Sequence, residues 1–563
     1  MTRIYLTLLT LFVSVAAICQ SYPSNYFRNP LDIPMQLVAN FGEIRPNHWH
    51  MGLDIRTQHK VNLPVHAAAD GYIARISVEP EGFGQAVYIN HPNGTTTVYG
   101  HLNSFRSDVA AYIKQQQYAR QTWAIDIQFS PNKFPVRKGE VIALSGSTGS
   151  SEGPHVHFEI RDTKTGKNLN PLLFHFPVPD AVPPVLLRLA IFDGDRSIYE
   201  QTPAIYSIKG SHYHYTLSQN SIITGASSIS FAIGAVDHLS RSNNPIGIYS
   251  AKVIVDGNPI SEFELNKISY DDTRYINAQV DYYIKSKYKQ NVQHISPLPG
   301  DHSGIYLTRN GGVTNISDGR PHHVKIEVRD AYHNLSYVEF NIQYDASKKK
   351  SYSDTRNGAL IPNQVNVLEK PEFELYTSEL SIYDTINSVH YAVQPNQEAN
   401  AISSLIEFID YQIPVHDAIT VRIKTNAIVK TSDHIVIKNE FSNKWTVARA
   451  EMKKGWVSAH FRQFGNYQAF IDNEPPSINA PGIGEEIDLS GKSRIVFVPK
   501  DNFNSIRRFR VEIDGQWLCF TNDKEKAWIY SFDDHFPKGA HELKVTIEDE
   551  AGNVTVKSWR VKR

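Results

Sequence analysis

The chain is written almost throughout in short runs of β-branched and aromatic residues cut by Pro, Gly, Asn and Asp, and this pattern constrains its fold most. Ala418-Ile419-Thr420-Val421-Arg422-Ile423 and His323-Val324-Lys325-Ile326-Glu327-Val328-Arg329 both alternate with the period of two expected of a half-buried strand. An all-β chain follows. At 563 residues one hydrophobic core is too few, and about 100–200 residues per domain suggest about four domains. The net charge of −1 gives no general attraction to nucleic acid or anionic membranes.

Beyond Phe176 the chain repeats itself. One copy opens at Pro183-Pro184, carries Val253-Ile254-Val255-Asp256-Gly257 and closes with Val328-Arg329-Asp330 and Asn334. The second opens at Pro475-Pro476, carries Val511-Glu512-Ile513-Asp514-Gly515 and closes with Ile547-Glu548-Asp549 and Asn553. The Asp-Gly pairs predict hairpin turns, and Asp549-Glu550-Ala551-Gly552-Asn553 resembles the last turn of bacterial immunoglobulin-like modules. A tyrosine-rich insertion, Tyr270 to Tyr288, lengthens the first copy. The expected division is 1–19 as a leader, 20–176, a β-sandwich module over 177–345, a linker over 346–359 that includes Lys348-Lys349-Lys350, a β-rich module over 360–473, and an immunoglobulin-like module over 474–563.

The amino terminus reads as an export signal, with Arg3 followed by an apolar run from Ile4 to Ile18 that is too short for a membrane span. Cleavage after Cys19 is favoured over its lipidation, because Ile18 is a poor match to the small residue that precedes a lipidated cysteine. Cys519 is then the sole cysteine, and no intramolecular disulfide is available.

Chemistry concentrates in the first third. His50 and Asp54, in His50-Met51-Gly52-Leu53-Asp54, precede His101 in Tyr99-Gly100-His101-Leu102 and the pair in His155-Val156-His157. Residues 155 and 157 of a strand share a face, so both imidazoles enter one cleft while Val156 faces the core. Gly52 and Arg45-Pro46-Asn47 argue that His50 and Asp54 lie on a loop running into a strand, not on a helix. Together the five residues have the composition of a three-ligand metal site with two histidines to spare. An isolated His-x-His is usually two solvent-facing histidines, and His212-Tyr213-His214, with the same spacing but no His-x-x-x-Asp nearby, is read as structural. Gly146, Gly149 and Gly153 among Ser145, Ser147, Thr148, Ser150 and Ser151 are expected to form a flexible, open wall beside the cleft. Ser107 to Trp123 reads as an amphipathic helix packed on the sheet.

In this order the motifs resemble the lysostaphin-type (LytM-like) zinc metallopeptidases, over residues 35–175. The resemblance extends through Phe41-Gly42, Pro64-Val65-His66-Ala67-Ala68-Ala69-Asp70-Gly71, Gly84-Gln85-Ala86-Val87, Val136-Arg137-Lys138-Gly139-Glu140-Val141, Gly146-Ser147-Thr148-Gly149 and Asn170-Pro171-Leu172. It implies an antiparallel β-sheet peptidase domain, with a small helical insertion, that binds one zinc ion through His50, Asp54 and His157. His101 and His155 become the acid-base and transition-state pair, their individual parts unassigned. The implied activity is zinc-dependent hydrolysis of peptide stems or cross-links in bacterial peptidoglycan by an exported enzyme, periplasmic or otherwise in the envelope. With the leader removed no membrane span is expected; the C-terminal β modules are free to engage an envelope protein. The rival expectation is a non-catalytic envelope scaffold or amidase activator that uses the groove to bind a partner. There is no His-Glu-x-x-His, so histidine must do the work that glutamate does in other zinc peptidases.

Overall fold

The computed structural model describes residues 22–350, 359–396, 398–408, 412–430 and 433–563; the expected leader, Cys19 and most of the expected linker lie outside them. The described chain is all-β, as expected, with a single long helix, Ser107–Arg120. That helix stops short of Trp123 because Gln121 turns left-handed at its end. Its Val109 and Ile113 are buried in the first hydrophobic core. Among the described residues no helix is long and apolar enough to cross a membrane.

In the first unit an antiparallel sheet runs in the order Leu37–Ala39, Leu53–Arg56, His155–Asp162, Thr95–Gly100, Gln85–Asn90, Gly71–Val78, Ile125–Gln128. A smaller sheet, Pro64–His66, Val141–Ser145 and Leu102–Phe105, sits with it around a shared core that includes Leu53, Ile55, Val65, Ile142 and Val156. The decisive pairing is at the centre. Strand His155–Asp162 lies between two neighbours, with His157 opposite Asp54 on one side and opposite Gly100 on the other.

Twelve strands form the sheet system of the next unit, and the final two units each contain a five-stranded sheet faced by a second sheet. Both Asp-Gly pairs make the tight hairpin turns expected of them: Asp256 and Gly257 have φ of 49° and 78°, and Asp514 and Gly515 have φ of 45° and 78°. The tyrosine-rich insertion folds into two short helices, Ile276–Gln279 and Tyr282–Tyr288.

The second unit does more than follow the first. Asn168–Leu169 pairs with Lys267–Ile268, so the first unit's sheet continues across the boundary. Phe41, Trp49 and Met51, which flank His50, are buried in the second unit's core, and the Trp49 indole donates to Gln279 Oε1 at 2.8 Å. Truncating a buried tryptophan costs about 3–5 kcal/mol. The loop bearing His50 is therefore held from both sides.

Candidate metal and catalytic site

All five residues singled out from the sequence converge. His157 Nδ1 lies 2.9 Å from Asp54 Oδ1, His50 Nε2 lies 3.1 Å from Asp54 Oδ1, and the two ring nitrogens are 3.1 Å apart. His155 Nε2 is 3.4 Å from the same Asp54 oxygen. The His101 ring packs 4.7 Å from that of His155 and 5.9 Å from that of His157, centroid to centroid. Val156 is fully buried beneath, as the alternation requires.

Each imidazole is oriented by what its outer nitrogen touches. His50 Nδ1 meets the Asn40 carbonyl at 2.8 Å, His101 Nδ1 the Thr148 carbonyl at 2.8 Å, and His155 Nδ1 the Gly153 carbonyl at 2.8 Å. His157 Nε2 meets Glu159 Oε1 at 3.0 Å. A nitrogen facing a carbonyl or carboxylate must be the N–H donor, so the opposite nitrogen carries the lone pair. In His50 and His157 that opposite nitrogen faces the Asp54 carboxylate, and it offers a lone pair to a metal once any proton shared with Asp54 has left. Two ring nitrogens and a carboxylate converge on one point that a proton or a cation can fill, and the separations of 2.9–3.1 Å approach the about 3.3 Å edge of a tetrahedron around zinc. The donor set fits that ion, with one position left over.

The electrostatics agree. Burial opposes ionisation of Asp54, yet His50, His155 and His157 hold it well below the usual carboxylate range. Burial likewise opposes charge on His157, but hydrogen bonds to Asp54 and Glu159 outweigh it and raise its pKa to about 9. His101 goes the other way. Burial, with His155 and His157 beside it, lowers its pKa to about 3, leaving a neutral ring with a free Nε2.

Sequence reasoning missed the support behind His157. Glu159 is fully buried, and its Oε2 accepts from Arg161 Nε at 2.7 Å. Its Oε1 accepts from the Tyr270 hydroxyl, contributed by the second unit. Burial would raise Glu159, but Arg161 and His157 bring its pKa down to about 2, so it is a fixed anion. The signal was present: residues 155, 157, 159 and 161 occupy one strand face, and a carboxylate two residues after a candidate ligand is placed to orient it.

Glycine shapes the surroundings. A Cβ on Gly52 would come within 2.5 Å of the Phe158 carbonyl and 2.9 Å of His157 Nε2. The expected open glycine-serine wall is instead tightly packed. Gly149 and Gly84 face each other so closely that a Cβ on Gly149 would lie 2.3 Å from Gly84 N, and Ser150 Oγ accepts from Gly82 N at 2.9 Å. The final unit packs against this wall, where Gly149 N donates to Asp523 Oδ1 at 2.7 Å and Lys524 N to the Pro80 carbonyl at 2.7 Å. Only Gly153, with nothing near its missing Cβ, keeps the openness expected. Among the described residues His212 and His214 gather no ligand cluster, and His214 stacks on Tyr337.

This combination of sheet and site defines a peptidase-type domain: residues 48–119 and 126–171 match Peptidase family M23, and the chain carries an M23 (LytM/lysostaphin-type) domain. Residues 357–472 match a Zu5-like domain. Among named proteins, the chain is similar to the DD-carboxypeptidase/endopeptidase Mpg of Neisseria meningitidis serogroup B, at 35% identity over 131 residues, covering 23% of this chain and 24% of that protein. An uncharacterized metalloprotease of Haemophilus influenzae is 35% identical over 136 residues, covering 24% and 22%. The peptidoglycan DD-endopeptidase ShyA of Vibrio cholerae is 26% identical over 162 residues, covering 28% and 31%. The chain thus spans less than a third of the length of each.

Proposed function

We propose that this protein is an exported zinc-dependent endopeptidase of the bacterial envelope that hydrolyses peptide stems or cross-links of peptidoglycan. The observation that carries the reading is the convergence of the inner ring nitrogens of His50 and His157 on Asp54, with the neutral ring of His101 and the ring of His155 beside them. The substrate class is supported by one relative named a peptidoglycan DD-endopeptidase and another named a DD-carboxypeptidase/endopeptidase. A non-catalytic scaffold needs neither an incomplete ligand set nor two further histidines at its edge.

His50, Asp54 and His157 would hold the zinc, which supplies Lewis acidity that polarises the scissile carbonyl and acidifies water. His101, uncharged and hydrogen-bonded only through Nδ1, is suited to accept at Nε2 the proton released as water attacks the carbonyl carbon. His155 lies close enough to share that task, to stabilise the developing oxyanion or to return a proton to the leaving amine. Glu159, Arg161 and Tyr270 keep His157 in one orientation throughout.

Purified peptidoglycan incubated with the zinc-loaded protein, beside an Asp54→Ala control, tests the reading by mass spectrometry of released fragments. New amine and carboxylate ends that appear only with the intact protein are expected. An unchanged fragment pattern with zinc bound would contradict the proposed substrate.

A further inference from the structure

The two copies of the internal repeat close on the same turn chemistry. Asp330 Oδ1 accepts from the backbone of Tyr332 at 2.8 Å and of Asn334 at 2.9 Å, and Oδ2 accepts from Asn334 Nδ2 at 2.7 Å. Asp549 does likewise with Gly552 N at 2.7 Å, Asn553 N at 2.8 Å and Asn553 Nδ2 at 2.9 Å. Two further aspartates come to each turn. Asp180 and Asp472 both stand three residues ahead of the Pro-Pro pair that opens their copy, and Asp237 and Asp501 complete the sets. In each triad the carboxylate oxygens lie within 4.8 Å of one another.

Three acids in contact do not make a site, but here buried valences are left open. Asp237 is 2% exposed and its Oδ1 has no hydrogen-bond partner; Asp180 Oδ2 and Asp501 Oδ1 are also buried without partners. The charged groups that act on Asp237 are Asp330 and Asp180, both of its own sign. Buried carboxylates need a counter-charge or a proton. The donor set is all oxygen, unlike the mixed nitrogen and oxygen set of the peptidase site. Oxygens bound to calcium at about 2.3–2.6 Å can stand up to about 5 Å apart, which these triads match.

Both triads sit where one unit meets the preceding one. Leu239 and Ile246, close in sequence to Asp237, belong to the first unit's core, and Ala331 and Tyr332 pack against it. At the other junction Ala551 joins Ala401, Val436 and Phe470 of the third unit, with Phe503 against them.

We propose that Asp180, Asp237 and Asp330 hold one hard divalent cation, calcium by donor type and size, and that Asp472, Asp501 and Asp549 hold a second. Each ion ties the entry segment, an inner strand end and the closing turn of a module together, and so fixes the module against its predecessor.

Equilibrium dialysis of the full, zinc-retaining protein against radioactive calcium tests this directly. Two equivalents are expected, with dissociation constants of about 10⁻⁴–10⁻³ M, the range of extracellular calcium modules. Asp237→Asn should remove one equivalent and Asp501→Asn the other. Because asparagine keeps the size and relieves the repulsion, each variant should melt no lower than the intact protein in calcium-free buffer, while its calcium-induced rise in Tm shrinks. No calcium bound by the intact protein at about 10 mM, well above that range, would overturn the proposal without reference to any variant. Retention of both equivalents by Asp237→Asn would overturn the first assignment, and retention by Asp501→Asn the second.

Discussion

The candidate cleft and the module junctions each bring three potential ligands within 4.8 Å, yet their donor atoms differ in kind. In the cleft, each ring nitrogen that faces inward does so because its twin is tied down by Asn40, Thr148, Gly153 or Glu159. At the junctions the ligands are carboxylates alone, held by turn backbone and by Asn334 or Asn553. The difference teaches that ligand identity follows from what stands behind the ligand. A histidine becomes a directed donor only when an acceptor fixes its tautomer, whereas an aspartate offers oxygen whichever way it is held.

Removing a nitrogen ligand should separate the two regions most sharply. His157→Ala is expected to abolish both stoichiometric zinc and hydrolysis while leaving calcium uptake at two equivalents; elemental analysis with an activity assay reads both, and a full zinc equivalent in the variant would break the ligand assignment. His101→Ala should keep its zinc and lose about 10²-fold or more in turnover, the range for a general acid or base. An unchanged rate would remove His101 from the chemistry.

Weakening the shell behind the ligand comes next. Glu159→Gln should lower zinc affinity by about 10–100-fold, measured by competition with a chelating dye, with full-length protein still folded. Equal affinity would mean that the Glu159, Arg161 and Tyr270 chain is structural only. The pH effect is smaller still. His157 has a raised pKa of about 9 in the metal-free site, so at neutral pH it holds a proton that zinc must displace. Zinc affinity should therefore rise as pH climbs toward about 9, and calorimetry in buffers of different ionisation enthalpy should register about one proton released. By the same sign, the stability that this proton lends the metal-free protein is complete below about 6.5 and fades as pH passes through 9. Smallest of all, Asp237→Asn should leave zinc affinity unchanged.

Much of the cleft was legible because its chemistry is local. His155 and His157 share a strand face by period alone, and Gly52 lets the chain between His50 and Asp54 pass close against Phe158 and His157. Tyr270 was not legible: it reaches Glu159 from 111 residues away, and nothing in a tyrosine-rich insertion says which ring will meet a buried carboxylate. The burial of Phe41, Trp49 and Met51 in the second unit's core was equally hidden, since an apolar residue announces burial but not its partner. The repeat exposed Asp330 and Asp549, but Asp237 joins the first and Asp501 the second only through the fold. The glycine-serine segment misled because glycine permits flexibility and close packing alike, and here Gly149 serves the second.

The central claim is that one zinc at His50, Asp54 and His157 makes this protein a peptidase. Zinc should be added stepwise to metal-stripped protein while cleavage of purified peptidoglycan is followed. The account predicts activity that rises linearly from zero and levels off at one equivalent. Activity without zinc, or one bound equivalent with no bond cleaved, would contradict it.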